Sequence, residues 1–176
     1  MSLFRHRTPA TRVAERFRSG EAVFSIERRD GLYAVRVGAG MERSVVLLHA
    51  LTEHLPPVVD CAIDCLRSKR RYVGEGLSLP EVRESVGRLK VALVQSGGVE
   101  LAVYTAEDQL VLSPMLDLWI YSRTDRWIYL LVGEGLEQVD TVPPRGWTVG
   151  RDEFTGAPEL VAAVQKTAER LTLRLL

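Results

Sequence analysis

A chain of 176 residues with 46% apolar and 26% charged side chains can bury one substantial core beneath a water-facing surface. Its 23 Lys and Arg balance 23 Asp and Glu, so no global field recruits nucleic acid or an anionic membrane. No run approaches the roughly 18 apolar residues of a bilayer span, no secretory signal is recognisable, and two cysteines make no disulfide framework; the cytoplasm is the expected compartment.

The charge is unevenly placed. Residues 1–18 hold Arg5, Arg7, Arg12, Arg16 and Arg18 against Glu15 alone, net +4, which leaves the rest of the chain at −4. Residues 1–19 therefore read as a basic arm, with helical character from Thr11 to Phe17, ahead of one domain over 20–176. Such an arm either folds back on its own body or reaches an anionic partner.

"EAVFSIERRDGLYAVRV" predicts a β-hairpin, with Phe24 and Ile26 alternating against Tyr33, Val35 and Val37 across an Asp30-Gly31 turn. Gly38-Ala39-Gly40 ends the second strand. A helix follows on the stripe Val45, Leu48, Leu51, Thr52 and Leu55, stopped by Pro56-Pro57. "VVDCAIDCL" fits a strand or a helix, and its β-branched opening favours the strand. "RSKRRYVGEG" reads as a basic loop. "LPEVRESVGRLKVALVQSGG" gives the clearest helix, striped by Val82, Val86, Leu89 and Leu93 and ended by Gly97-Gly98. "VELAVYT", "QLVLS", "LDLWIYS" and "RWIYLLV" read as four strands of a meander. A loop containing Trp147 follows, then a last helix on Leu160, Val164, Ala168, Leu171 and Leu175. The predicted order is β-β-α-β-α-β-β-β-β-α, an α+β fold with a single mixed or antiparallel sheet and helices mainly on one face.

Few residues carry recognisable chemistry. Gly38-Ala39-Gly40 between a strand and a helix resembles a dinucleotide turn, but Arg43 stands where a third glycine packs helix on strand, and the strand belongs to a hairpin. His49, Glu53, His54, Cys61 and Cys65 fit no structural-zinc spacing, so the cysteines read as reduced, metal-free core residues. No GxSxG or Walker sequence occurs. Asp60 and Asp64 share a strand face and read as solvated carboxylates. Arg67, Lys69, Arg70 and Arg71 read as a soluble loop rather than a phosphate site. No catalytic residue, metal or cofactor is assigned.

The repeat in "DLWIYSRTDRWIYLLVGEG" (Trp-Ile-Tyr twice) suggests a hairpin pairing Tyr121 with Arg126 and Ile120 with Trp127. One face would be core. The other, with Trp119, Tyr121, Arg126 and Ile128, is too apolar for ordinary exposure, and is covered by the last helix, by the Trp147 loop or by another chain. The sequence therefore points to a non-catalytic protein-binding module, whether adaptor, chaperone-like or neutralising protein. Its expected contacts are Trp119, Tyr121, Arg126, Ile128 and Trp147, its partner another protein or its own copy in a homodimer. The alternative is a small-molecule or nucleotide-binding protein using the Gly38–Gly40 turn with Arg43. A third possibility is a module tethered to membrane or nucleic acid by the arm.

Overall fold

Asp30 and Gly31 both take positive φ, 52° and 79°, which is the left-handed pair a two-residue hairpin turn requires. They join β1 (Val23–Arg29) to β2 (Leu32–Gly38) in the antiparallel register read from the sequence, with Ile26 opposite Val35. The computed structural model describes residues 22–144 and 150–176; the basic arm and Trp147 lie outside the described residues. Helix α1 (Met41–Leu51) starts from an extended Gly40 and buries Val45, Leu48 and Leu51, together with Ser44 and Leu47. A short 3-10 turn, Thr52–His54, ends it before the two prolines.

The undecided segment is a strand, β3 (Val58–Cys65). Val59, Cys61, Ile63 and Cys65 are buried while the alternate residues are more open. The expected basic loop is in fact mostly β4 (Arg70–Ser78), antiparallel to β3 with a bulge between Val59 and Cys61. Two arginines and two glycines hide it from a propensity reading, because only Tyr72 of this strand is buried. Gly74 has a packing reason: a Cβ there would stand 2.5 Å from Leu173 Cδ2. Helix α2 (Leu79–Ser96) follows with the predicted stripe buried and Gly97 at its C-cap, φ 58°.

Three strands continue antiparallel, β5 (Val99–Tyr104), β6 (Asp108–Leu112) and β7 (Leu118–Ser122). The fourth member of the expected meander is instead helix α3 (Arg126–Gly133). Trp127 and Leu131 are buried at helical spacing, whereas Tyr129 and Val132 face solvent. The hairpin pairings therefore do not form: Tyr121 lies between Ala34 and Gln109, and Ile120 between Val35 and Leu110. A tertiary interaction decides the helix. Trp127 Nε1 donates to Asp108 Oδ1 at 2.7 Å, Ser122 Oγ donates to the same oxygen at 2.6 Å, and Arg126 pairs with Oδ2.

A two-residue strand β8 (Glu137–Gln138) runs parallel to β1. Helix α4 (Pro158–Arg170) buries Leu160, Val164 and Ala168. The expected helical tail turns at Thr172, φ 52°, and becomes β9 (Arg174–Leu175), antiparallel to β4. The chain is α+β, and its described residues form one mixed nine-stranded sheet in the order β8-β1-β2-β7-β6-β5-β3-β4-β9. All four helices of the described residues contribute to one buried cluster with the inward alternate residues of the strands. The helices thus share one side of the sheet, as the sequence implied.

Candidate functional site

Because side chains alternate along a strand, the register of the sheet fixes what its other side displays. One row reads Ser25, Arg36, Trp119, Val111, Ala102, Ala62 and Val73 across consecutive paired strands. The next reads Glu27, Ala34, Tyr121, Gln109, Tyr104 and Asp60. Most of these residues are only partly buried, because the described helices all lie on the opposite side. A transverse strip of apolar and aromatic side chains thus crosses the middle of the open face.

Trp119 and Tyr121, two apart on β7, hold their rings parallel within 6° with centroids 6.3 Å apart. The Arg36 guanidinium lies 5.4 Å from the centroid of Trp119, within cation–π distance. Farther along, Ala62 and Ala102 leave a depression of about 210 Å³, bordered by Asp64, Arg71, Glu100, Tyr104 and Gln109. Small side chains in the centre and long ones at the margin make a shallow trough.

Carboxylates outnumber cations around the trough, with Asp60, Asp64, Glu75 and Glu100 against Arg71 and Arg151. Burial pushes the Tyr104 phenol above its ordinary value, and the carboxylates of Asp60 and Glu75 push it further against a smaller opposing pull from Arg71. Tyr121 is raised by burial and then by Glu100. Asp60 Oδ1 accepts the Gly76 amide at 2.8 Å, and Asp64 pairs with Arg151 at 3.3 Å. The carboxylate of Glu100 makes no hydrogen bond or ion pair among the described residues.

The predicted contact residues separate. Trp119 and Tyr121 share the open face, as expected. Arg126 and Ile128 do not join them: Arg126 closes over Trp127 and Asp108, and Ile128 packs against the helix-side core. Trp147 falls outside the described residues. Sequence reasoning missed Arg36, Glu100, Ala102, Tyr104 and Val111, although "VELAVYT" carries the signal. Glu100, Ala102 and Tyr104 alternate there with the buried Val99, Leu101 and Val103.

The other candidates have structural occupations. Arg43 donates to the Glu134 carbonyl at 2.9 Å and lies 3.8 Å from its carboxylate, tying the start of α1 to the end of α3. Arg43→Ala is expected to cost less than about 1 kcal/mol, as partly exposed pairs do. Thermal melting with and without nucleotide checks this, and a nucleotide-dependent shift lost in the variant would contradict it. Arg67 spends its donors on the carbonyls of Ser96 and Gly97 at the end of α2 and on that of Thr155 ahead of α4. Cys61 and Cys65 are unpaired and buried, and burial raises the Cys61 thiol to about 12, which makes it a poor nucleophile. No cluster of metal-ligating side chains occurs among the described residues. Nor is any described helix long and apolar enough to cross a membrane.

No family model, no curated protein and no solved structure matches this chain.

Proposed function

We propose that this chain is a non-catalytic protein-binding module that engages its partner across the open face of the sheet. The observation that carries the reading is the Trp119–Val111–Ala102–Ala62 strip, apolar side chains in register on the side opposite the described helices. Antiparallel sheets that face water ordinarily show polar residues there. Aromatic side chains beside an arginine are also the usual composition of binding hot spots.

The charge of the face selects the partner. Glu100, Asp60 and Glu75 give the trough a negative field, so a complementary surface presents apolar side chains flanked by Lys or Arg. Two such faces pressed together would oppose like charges, which favours a different cationic protein segment over a face-to-face homodimer. Two free thiols in the core suit a reducing compartment, and we place the protein in the cytoplasm on that ground.

A synthetic amphipathic peptide with leucine on one side and arginine on the other, titrated into the full chain, tests the reading. It should shift amide NMR signals of β5, β6 and β7, while its glutamate counterpart should not. The double variant Trp119→Ser, Tyr121→Ser is expected to melt within about 1 kcal/mol of wild type, since both side chains are partly exposed. Its peptide affinity should fall by about tenfold or more. Unchanged affinity, or equal binding of the glutamate peptide, would overturn the proposal.

A further inference from the structure

Two carboxylates border the trough, and only one of them is spoken for. Asp64 pairs with Arg151 at 3.3 Å, whereas Glu100 makes no hydrogen bond or ion pair among the described residues. The register sets the two directly opposite each other on β3 and β5, and like charges so placed cost a sheet stability. Arg71 lies opposite Asp64 on β4, one strand farther out, and forms no ion pair with Glu100. A cation arriving beside Glu100 would therefore relieve an unfavourable pair. We infer that the trough receives a single arginine side chain of the partner, its guanidinium bound by Glu100 and its methylenes lying on Ala62 and Ala102 beside the Tyr104 ring. The inference rests on the reading of the open face as a binding surface. It narrows the partner from a cationic segment to one with an arginine at a fixed place.

Shape supports this occupant. Ala62 and Ala102 face each other across β3 and β5, so the floor consists of two methyl groups. Glu100 and Tyr104 stand two residues to either side of Ala102 on the same face, about 13 Å apart at the usual strand rise. A long unbranched side chain can lie along that floor with its stem against the phenol and its head at the carboxylate. Gln109, opposite Tyr104 on β6, borders the same depression. Volume decides between a free ligand and a side chain. Small-molecule pockets start at roughly 300 Å³ and enclose most of the ligand. The trough holds about 210 Å³ on an open sheet face, which suits a side chain delivered by a larger surface.

Chemistry selects arginine among cations. A calcium ion takes about six to eight oxygen ligands, and no cluster of three metal-ligating side chains occurs among the described residues. Lysine brings a compact, strongly hydrated charge on a flexible stem. A guanidinium is planar, gives a carboxylate two parallel hydrogen bonds, and stacks on an aromatic ring. Glu100 and Tyr104 offer those two partners from the same strand face.

The test measures affinity of the full chain for two synthetic amphipathic peptides, the leucine–arginine peptide and a twin with lysine at every arginine. Wild type should bind the arginine peptide about tenfold more tightly. Glu100→Gln should bring the two affinities together, and so should Ala102→Leu, which fills the trough without changing any charge. Thermal melting of each variant reports folding. Glu100→Gln should melt at or above the wild-type temperature, because it removes one of two opposed like charges. A Glu100→Gln chain that melts well below wild type would contradict the unspent charge on which the inference stands. Equal affinities of wild type for the two peptides would overturn the inference and leave the binding face standing. An arginine preference that survives Glu100→Gln, or survives Ala102→Leu in a folded chain, would do the same. Binding of neither peptide by wild type would overturn both readings.

Discussion

Asp108→Ala is expected to destabilise the protein by about 3 kcal/mol, because it strands the buried Trp127 indole N–H and breaks a buried hydrogen-bonded cluster. The carboxylate is 6% exposed and receives the Trp127 indole N–H, the Ser122 hydroxyl and the Arg126 guanidinium. Trp127 is 1% exposed, so its N–H cannot turn to water without unpacking the ring. Arg126 contributes less, since its side chain is 41% exposed and regains solvent. The loss should concentrate in α3, with amide exchange over Arg126–Gly133 accelerating before the sheet loosens. Urea unfolding of Asp108→Ala against wild type measures the total. Asp108→Asn keeps one acceptor oxygen and should fall between the two. A loss under about 1 kcal/mol for the alanine variant would mean that the helix forms by itself and that the carboxylate does not organise it.

Alkaline pH should unfold the protein through Cys61. The thiol is held at about 12 by burial, against an ordinary value of 9.0, and the raised value favours the protonated form in the fold. Below pH 9 both folded and unfolded chains keep the proton, and the stability is fully present. Between pH 9 and about 12 only the unfolded chain releases it, so stability falls by about 1.4 kcal/mol per pH unit, approaching about 4 kcal/mol in all. Tyr104 and Tyr121 are raised as well and steepen the loss in the same direction. Denaturant titrations at successive pH values on wild type and Cys61→Ala read the effect. The variant starts lower because of the small cavity it leaves, but its slope above pH 9 should be shallower. Parallel slopes would assign the alkaline loss to other groups.

How much of this was legible in the sequence depends on what decided each element. The β1–β2 hairpin, α2 and the alternation of β3 were readable, because turn chemistry, capping and periodicity all agreed there. The second Trp-Ile-Tyr was not. Its apolar residues satisfy a period of two as well as a helical one, and the choice falls to a hydrogen bond from Trp127 to Asp108, 19 residues away. β4 escaped because its arginines and glycines carry no strand signal, and a long-range partner, β3, supplies the pairing. The last residues escaped for a similar reason. Leu173 packs beside Gly74, and this contact with β4 draws the tail out of the helix. For the binding face, Trp119 and Tyr121 stood out by composition. Glu100, Ala102 and Val111 are ordinary residues that gain meaning only when five strands lie side by side.

The two outermost strands, β8 and β9, contain two residues each. β8 pairs only with Val23 and Phe24 of β1, and β9 only with Tyr72 and Val73 of β4, so they leave most of the outward main chain of each longer strand unpaired, and a long bare border invites indiscriminate stacking of chains. Recognition by strand addition, in which backbone groups supply affinity whatever the sequence, is thereby confined to residues 25–29 and 74–78 among the described residues. A partner on the open face is instead read through side chains on a broad surface, so there its identity matters more than its capacity to become a strand.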